Sequence, residues 1–505
     1  MNSMVDPRSP VIAGVGQVNA HYPAAEPAEL LAEALSIAAP SRALSALDEL
    51  DVVAIGTRPY SNPGAIAATA LGITVNNIGY TTHGGHFPQM LVNRAAWNVY
   101  TGKRDVVAIA GAESWRTRRL LRKEGRSSGW TVQDSGDQPD ELIGRELSMS
   151  TDIETRIGFG DPLDAYPMLE SAIRAEAGRS VEEQNDVIAS LWSAFNAVAV
   201  KNPYAAIRRT VTAKDILSPG GGNRLISHPY RKLAVSNNDV DQAAALVVTS
   251  YGRAKSLGYS PDDLIFIHGF GEAVDCDSFT ARSSYTSSKA IEAAAMDALA
   301  MAKVSMRDID LVDVYSCFPS AVQIGARALG LPLTGDLTVT GGLTYAGGPW
   351  NNYVTHSIAT MVTILREQPD ALGMCTANGG LLTKHAIGIY GAQPPVAPPV
   401  EPRVRLHDEQ RPVIERTDGP VTVLASTIRY ARDDIPHHGF VIGETAAGDR
   451  IVARTEQNEL LAALESADLV GKTAIVEGTQ LIDLAERSHS PITRASGASR
   501  RGTGD

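Results

Sequence analysis

The order of strand and helix patterns in the first part of the chain recurs in the second part, and this internal repeat constrains the fold more than any other feature. The apolar run PVIAGVGQ (10–17) corresponds to LIFIHGFG (264–271), and the helical pattern AELLAEALSIAA (28–39) corresponds to SKAIEAAAMDALAMA (288–302). Strands that alternate with helices are typical of α/β folds. The unit of about 130 residues is too long for a solenoid repeat. We therefore predict an α/β core of two similar halves.

The first copy of the repeat is interrupted between residues 115 and 233, where the alternation of strands and helices is lost. This segment contains the basic run RTRRLLRKEGR (116–126). We interpret it as a loop insertion that covers one face of the core. The first half then comprises residues 1–114 and 234–262, and the second half comprises residues 263–392.

A different pattern follows the second half. Residues 392–402 contain 5 prolines in 11 residues, a composition that favours an extended spacer, and we predict a linker over 393–418. Short strand patterns separated by turn residues then fill 419–486, which predicts a small antiparallel β-barrel of the oligonucleotide/oligosaccharide-binding (OB) type. The last residues, 487–505, are polar and are expected to be disordered.

Composition restricts the classes of function. The chain has 45 Lys and Arg against 57 Asp and Glu, and this net charge of −12 disfavours nucleic-acid binding, which needs a basic face. Three cysteines in 505 residues exclude a disulfide framework and a multi-cysteine zinc site. The first ten residues lack the apolar segment of a signal peptide, and no apolar run approaches the ~18 residues of a membrane span. We expect a cytoplasmic protein with no membrane span.

Five segments occur in an order that is known from one enzyme superfamily. They are GKRDVVAIAGAES (102–114), NPYAAIRRTVTAKDILSP (202–219), VDVYSCFPSA (312–321), TGGLTYAGGPW (340–350) and CTANGG (375–380). Together with the internal repeat, they resemble the thiolase superfamily over roughly residues 10–392, and the second segment is similar to thiolases of the sterol-carrier-protein type. The resemblance implies a thiolase-like fold and an acyl-CoA ligand with no further cofactor.

The sequence departs from this family at the residues that carry its chemistry. The resemblance places the nucleophilic cysteine of thiolases at Gly85, but the first cysteine of the chain is Cys276. It also places Gly348 where thiolases have the histidine of a Gly-His-Pro motif. This departure is similar to that of thiolase-like protein type 1, whose members carry an extra C-terminal domain. It resembles more loosely the cysteine-free thiolase-fold aldolases, which have a separate OB-fold partner.

Three residues are candidates for catalysis. Tyr315, in the Tyr-x-Cys-Phe segment, lies at the end of a predicted strand, where sites of α/β proteins gather. As an acid, base or oxyanion donor, it needs a pKa tuned away from its usual value near 10. Tyr345 lies in a glycine-flanked loop, and Cys375 occupies the position of the second thiolase cysteine. Each of the three could instead be an ordinary buried core residue.

Further residues are expected to bind substrate because the resemblance places them around the thioester, and the glycines among them allow close backbone approach. This set contains Gly85, His86, Cys317, Gly341, Gly342, Gly348, Asn378, Gly379 and Gly380. Within the basic run, Arg118 and Arg119 are expected to bind the phosphates of coenzyme A, although a solvated helix face is the alternative. His83 and His86 have no carboxylate or cysteine nearby in the sequence, so we predict no metal site.

Three functions remain open on the sequence alone. The first is an acyl-CoA-binding protein of lipid metabolism that has lost thiolase chemistry. The second is a carbon–carbon lyase, or retro-aldolase, which acts on a 3-hydroxyacyl-CoA through tyrosine. The third, disfavoured because the first-half cysteine is missing, is an acetyl-CoA acyltransferase. The resemblance also implies a homodimer, as is usual in the superfamily.

Overall fold

The computed structural model describes residues 5–134, 136–145, 149–407, 409–466 and 468–484. The expected disordered tail, residues 487–505, lies outside this part of the chain. The first half, with the start of the insertion, contains β1 (Pro10–Asn19), α1 (Pro27–Ala38), α2 (Ser41–Leu44), β2 (Glu49–Val52), α3 (Pro63–Leu71), β3 (Asn77–Thr81), α4 (Phe87–Tyr100), β4 (Val106–Ser114), α5 (Trp115–Lys123) and β5 (Glu141–Ile143).

The insertion continues through helices and one small hairpin before the chain returns to the first half. These elements are α6 (Asp152–Ile157), α7 (Pro162–Glu176), α8 (Val181–Lys201), α9 (Ala213–Leu217), β6 (Leu225–Ser227) and β7 (Tyr230–Arg231), followed by β8 (Asp241–Ser250) and α10 (Tyr251–Ser256). The second half contains β9 (Ile265–Val274), α11 (Lys289–Ala302), β10 (Leu311–Asp313), α12 (Pro319–Leu329), α13 (Gly342–Tyr345), α14 (Tyr353–Glu367), β11 (Leu372–Gly379) and β12 (Lys384–Gly391).

The remaining elements are β13 (Val404–Leu406), β14 (Thr417–Tyr430), β15 (Pro436–Glu444), β16 (Arg450–Thr455), α15 (Asn458–Ser466), β17 (Thr473–Gly478) and β18 (Gln480–Leu484). Short 3-10 helices occupy Lys232–Ala234, Pro261–Asp263, Met306–Asp308 and Trp350–Asn352.

The strand order confirms the two similar halves that the repeat predicts. One continuous sheet has the order β10-β11-β12-β9-β1-β8-β4-β2-β3-β5. Outward from the centre, β1-β8-β4-β2 in the first half is mirrored by β9-β12-β11-β10 in the second. The two halves join where β1 and β9 pair antiparallel, with Val11 opposite Phe266 and Ile12 opposite Ile265.

Each half has a corresponding pair of glycines in its first strand, and this pair allows a helix to lie close to the sheet. A β-carbon on Gly14 would lie 1.8 Å from the carbonyl oxygen of Ala38, and one on Gly271 would lie 2.1 Å from that of Ala294. Gly16 and Gly269 meet the same two helices, α1 and α11, in the same way. A side chain at any of these positions would push the helix off the sheet. The sequence similarity between 10–17 and 264–271 therefore has a packing cause.

The C-terminal strands form a small β-barrel, as predicted, which is closed and has five strands. Its strand pairs are antiparallel except for β16 with β18, which is parallel. Its order is β14-β15-β16-β18-β17, and β17 pairs again with β14. The barrel begins at Thr417, and the segment 393–418 before it contains β13, which pairs in parallel with β9. The insertion strand β6 extends the barrel through a pairing of Ser227 with Arg429. The barrel is thus docked on the insertion.

The helices were compared with the length and apolar character of membrane spans. Among the described residues, no helix combines the length and the apolar character that crossing a bilayer requires.

Candidate functional site

A cavity of about 1860 Å³ lies where the two halves of the core meet the insertion. The core segments that line it include the loop before α4, the residues that follow β10, and the end of β11 with its turn. Its volume exceeds the roughly 300–1,000 Å³ of common small-molecule sites. The space is therefore large enough for a nucleotide thioester such as an acyl-CoA.

Three residues of the predicted site meet at the N-terminus of α4. A β-carbon on Gly85 would lie 2.8 Å from the hydroxyl oxygen of Tyr315 and 2.6 Å from the carbonyl oxygen of Asn378. The preceding loop is held in place because the Gly84 N–H donates to Oδ1 of Asn351 at 2.9 Å. The space of a side chain at position 85 is thus already occupied, and the tyrosine hydroxyl faces the helix terminus.

Tyr315 is positioned through its backbone and its ring. Its N–H donates to Oγ1 of Thr376 at 2.8 Å, and its ring meets that of Tyr353 edge to face at 5.7 Å between centroids. Tyr353 in turn donates to the buried carboxylate of Asp313 at 3.0 Å. Burial raises the pKa of Tyr315 well above its usual value. Because the phenol stays neutral, it can donate a hydrogen bond or a proton, and its hydroxyl has no hydrogen-bond partner among the described residues.

An amide and a second tyrosine lie beside it. Nδ2 of Asn378 donates to the hydroxyl of Tyr166 at 2.8 Å, and the ring of Tyr166 stacks on that of Phe318 at 4.6 Å. Oδ1 of Asn378 is buried and has no protein partner in the described part of the chain. Tyr166, which the sequence analysis missed, comes from α7 in the insertion, and nothing local in the sequence points to it.

The cysteines are poor nucleophiles in this environment. Cys317 lines the cavity, but burial raises the pKa of its thiol to about 12. Cys375 is fully buried in β11 away from the cavity, and burial raises its thiol pKa as well. Burial also raises the pKa of Cys276 to about 11. Since the thiolate is the reactive species, none of the three is activated.

Two predicted groups of residues lie behind the cavity wall. Tyr345 is fully buried, and its hydroxyl donates to the carbonyl oxygen of Leu233 at 3.1 Å. Gly341 and Gly342 have positive φ angles of 98° and 74° and pack against α8. Their role in the structure is to bring the loop against the insertion, and they do not line the cavity.

The other predicted glycines do line it. A β-carbon on Gly348 would lie 2.3 Å from Oγ of Ser236, so a larger residue has no room there. Gly379 covers His86, whose Nδ1 would be 2.3 Å from a β-carbon on that glycine, and Gly380 turns the chain with a φ of 65°. Burial lowers the pKa of His86 to about 3, which leaves it neutral behind the wall.

The two arginines predicted to bind phosphate both have protein partners. Arg118 donates to the carbonyl oxygen of Thr57 and lies 5.2 Å over the ring of Trp115. Arg119 lines the cavity and makes two hydrogen bonds of 2.7 Å to Asp239. The indole of Trp350, another lining residue, stacks on Trp115 at 5.3 Å. This edge of the cavity thus has few uncommitted charges.

Uncommitted cations lie at a different edge. Arg209, Lys232 and Arg432 line the cavity and make no ion pair within the residues that the structure describes, and Arg224 donates only to backbone oxygens. Between them runs the glycine segment 220–222, whose three φ angles are all positive. His83, near Gly85, is exposed to the cavity, and its imidazole has no hydrogen-bond partner in the described ranges.

The same described residues contain no group of three or more His, Cys, Asp or Glu side chains that could hold a metal ion.

Comparisons with known proteins agree with this fold. Residues 271–350 match the family described as thiolase C-terminal domain-like, and residues 402–480 match the additional C-terminal domain of thiolase-like protein type 1. The chain resembles thiolase-like protein type 1. The crystal structure of a monomeric SCP2-thiolase-like protein type 1 from Mycobacterium smegmatis is 28% identical, with a TM-score of 0.80 over 95% of this chain and 100% of that one.

Two further relatives match a smaller share of the chain. An Ltp2-ChsH2(DUF35) aldolase shares the fold with a TM-score of 0.58 and 20% identity, over 76% of this chain and 98% of that one. An acetyl-CoA acetyltransferase from Methanocaldococcus jannaschii is 29% identical over 249 residues, which is 49% of this chain and 55% of that protein. The chain thus spans about half the length of this curated relative. The predicted resemblance to thiolase-like protein type 1 and the predicted thiolase-like fold are confirmed.

Proposed function

We propose that the cavity binds an acyl-CoA without forming a covalent acyl-enzyme, so that the protein performs no ordinary thiolase reaction. The observation that carries this proposal is the contact between Tyr315 and Gly85. A hydroxyl fills the space that a catalytic side chain would need, and the position at the helix terminus has no nucleophile.

The thioester group fits best at the N-terminus of α4. The partial positive charge of a helix N-terminus favours an oxygen that carries negative charge. The neutral Tyr315 hydroxyl can donate to the same oxygen. The unpaired Oδ1 of Asn378 can accept a hydrogen bond from an N–H or O–H of the ligand, which would satisfy this buried atom.

A thiolase or acyltransferase reaction would require a thiolate and a base beside the thioester. Burial keeps the thiols of Cys317 and Cys375 protonated. Gly348 stands where the resemblance places the activating histidine, and Ser236 fills the space beside it. Acyl transfer through cysteine is therefore the least supported of the three functions.

A carbon–carbon lyase reaction is the second candidate, and the unpartnered Tyr315 hydroxyl favours it. In a retro-aldol cleavage of a 3-hydroxyacyl thioester, the bond between C2 and C3 breaks and C3 becomes a carbonyl as its hydroxyl loses a proton. The electron pair passes to C2 as a thioester enolate, which then takes up a proton. A neutral tyrosine suits the donor role in this sequence. The exposed imidazole of His83 is the candidate base.

An acyl-CoA ligand would place the protein in lipid or acyl-CoA metabolism, and we retain a cytoplasmic location as part of the proposal. A homodimer, as the superfamily implies, stays a prediction that size-exclusion chromatography with light scattering can test.

Calorimetric titration with coenzyme A and acetyl-CoA, followed by intact-mass spectrometry, tests the first function. We expect saturable binding and an unchanged protein mass. Incubation with a 3-hydroxyacyl-CoA, with analysis of the products, tests the second. A shortened acyl-CoA together with an aldehyde or ketone would establish the lyase. A stable acetyl adduct on a cysteine would contradict the proposal.

A further inference from the structure

The C-terminal barrel reaches the ligand cavity through the turn between β14 and β15. Asp434, which has a φ of 64°, accepts a hydrogen bond from the Leu225 N–H at 2.8 Å. Nη1 of Arg224 contacts the carbonyl oxygen of Ala431 at 3.5 Å. Both partners belong to the insertion segment that lines the cavity. The turn is thus fixed to the cavity wall at its two ends, with Arg432 between the two contacts.

A second set of contacts fixes another segment of the cavity wall. Arg429 of β14 forms ion pairs with Asp161 at 2.7 Å and with Asp164 at 3.1 Å. Asp161 lines the cavity at the start of α7, and the N–H of Ser426 donates to Ser171 further along that helix. The barrel therefore holds two cavity-lining segments of the insertion in place.

The charges at this edge favour an anionic ligand. Of the acidic lining residues, Asp161 is neutralised by Arg429, and Asp239 is neutralised by Arg119. Asp215 accepts from both the N–H and the hydroxyl of Thr212 in a helix cap. The cations of this edge are Arg209, Arg224, Lys232 and Arg432, and none of them forms an ion pair among the described residues. Arg209 lies close enough to Asp215 to help lower the pKa of that carboxyl.

The glycine segment 220–222 runs along the same edge. A β-carbon on any of its three glycines would meet nothing within 4 Å, so the segment leaves open space in front of its backbone. Phosphate groups could approach both this backbone and the four cations. Arginine suits such a role because its guanidinium donates two parallel hydrogen bonds to phosphate oxygens.

We propose that the barrel is part of the ligand site, and that Arg432 binds the phosphate-bearing end of the ligand together with Arg209, Arg224 and Lys232. This inference rests on the proposed function, since it assigns the nucleotide end of the acyl-CoA to this edge. The proposal replaces the phosphate contact that the sequence predicted at Arg118 and Arg119 on α5. The barrel then has a direct part in binding as well as a structural one.

The test is calorimetric titration of the full chain with coenzyme A. The variants are Arg432→Ala, Arg432→Lys and the matched control Arg416→Ala, an exposed arginine directly before β14 that does not line the cavity. We expect Arg432→Ala to weaken binding about tenfold, the scale of one charge-assisted hydrogen bond. Arg432→Lys should recover part of the loss, and Arg416→Ala should bind as the wild type does. The dependence of affinity on salt should be shallower in Arg432→Ala.

Equal affinity of the wild type and Arg432→Ala for coenzyme A would overturn this inference and leave the proposed function standing. An equal loss in Arg432→Ala and Arg416→Ala would also overturn it, because the effect would then come from the barrel charge in general. A wild type that binds no coenzyme A would overturn the proposed function, and this inference with it.

Discussion

The hydroxyl oxygen of Tyr315 lies 2.8 Å from the position that a β-carbon on Gly85 would occupy. Two residues that are 230 positions apart in the chain thus share one small space at the N-terminus of α4. Under the proposed function, the tyrosine fills the room that a nucleophilic side chain at position 85 would need. We therefore expect that a single substitution at position 85 does not create thiolase activity.

Substitution of Gly85 by alanine or cysteine should destabilise the protein. The added β-carbon would meet Tyr315 and the carbonyl oxygen of Asn378, and overpacking of this kind costs about 1–3 kcal/mol. Gly136→Ala is the control, because a β-carbon there meets nothing within 4 Å. Urea unfolding measures the three variants. If Gly85→Ala were as stable as the wild type, Tyr315 and the Asn378 carbonyl group would move aside at little cost, and this prediction would be wrong.

Tyr315→Phe and Tyr345→Phe should have opposite effects. The Tyr315 hydroxyl has no partner among the described residues, so its removal should leave the free energy of unfolding nearly unchanged while it weakens acyl-CoA binding or turnover. The Tyr345 hydroxyl donates to the carbonyl oxygen of Leu233, and its removal should cost about 1 kcal/mol of stability without affecting the ligand. Thermal unfolding and calorimetry on both variants test this. Equal effects on binding would contradict the assignment.

The fold could be predicted from the sequence because its signal is local and repeated. The glycines of 10–17 and 264–271 mark the same strand–helix contact twice, and each contact is encoded within one strand and one helix. The barrel was predictable for a similar reason, since short strands and turn residues alternate along a single segment.

The site was only partly predictable. Tyr315, Cys317, Asn378 and the glycines of 379–380 lie on segments with recognisable patterns, and they line the cavity. Tyr166 and Arg432 come from the insertion and the barrel, which approach the core only through tertiary packing, so no local pattern marks them. Arg118 was selected by charge density, but the structure directs its side chain to the carbonyl oxygen of Thr57.

All three cysteines should resist alkylation in the folded protein. Burial raises the pKa of Cys276 to about 11 and that of Cys317 to about 12, so little thiolate exists at pH 7. Mass spectrometry after iodoacetamide treatment at pH 7 should show no modification without denaturant and three modified sites in urea. Rapid modification of Cys317 in the native protein would contradict this account and would reopen cysteine catalysis.

Glu272 should make the protein less stable as the pH rises. Burial raises the pKa of its carboxyl to about 7, although Nδ2 of Asn93 donates to it at 2.9 Å. The pKa in the folded state lies above that of the unfolded state, so this stabilisation is complete below about pH 4 and is lost as the pH rises through 7. Glu272→Gln should therefore unfold less readily than the wild type at pH 8, by about 3 kcal/mol at most.

The control for this prediction is Glu477→Gln, which removes the same negative charge from an exposed residue of β17. Urea unfolding at pH 5 and pH 8 compares the three proteins. The same pH dependence in Glu272→Gln as in the wild type would show that this carboxyl does not titrate in that range.

A crystal structure of the protein with a bound acyl-CoA tests whether the thioester binds without a covalent acyl-enzyme. We expect an intact thioester at the N-terminus of α4, with its oxygen within hydrogen-bond distance of the Tyr315 hydroxyl and no bond to any cysteine. An acyl group attached to Cys317 or Cys375, or a thioester bound away from Tyr315, would contradict this expectation.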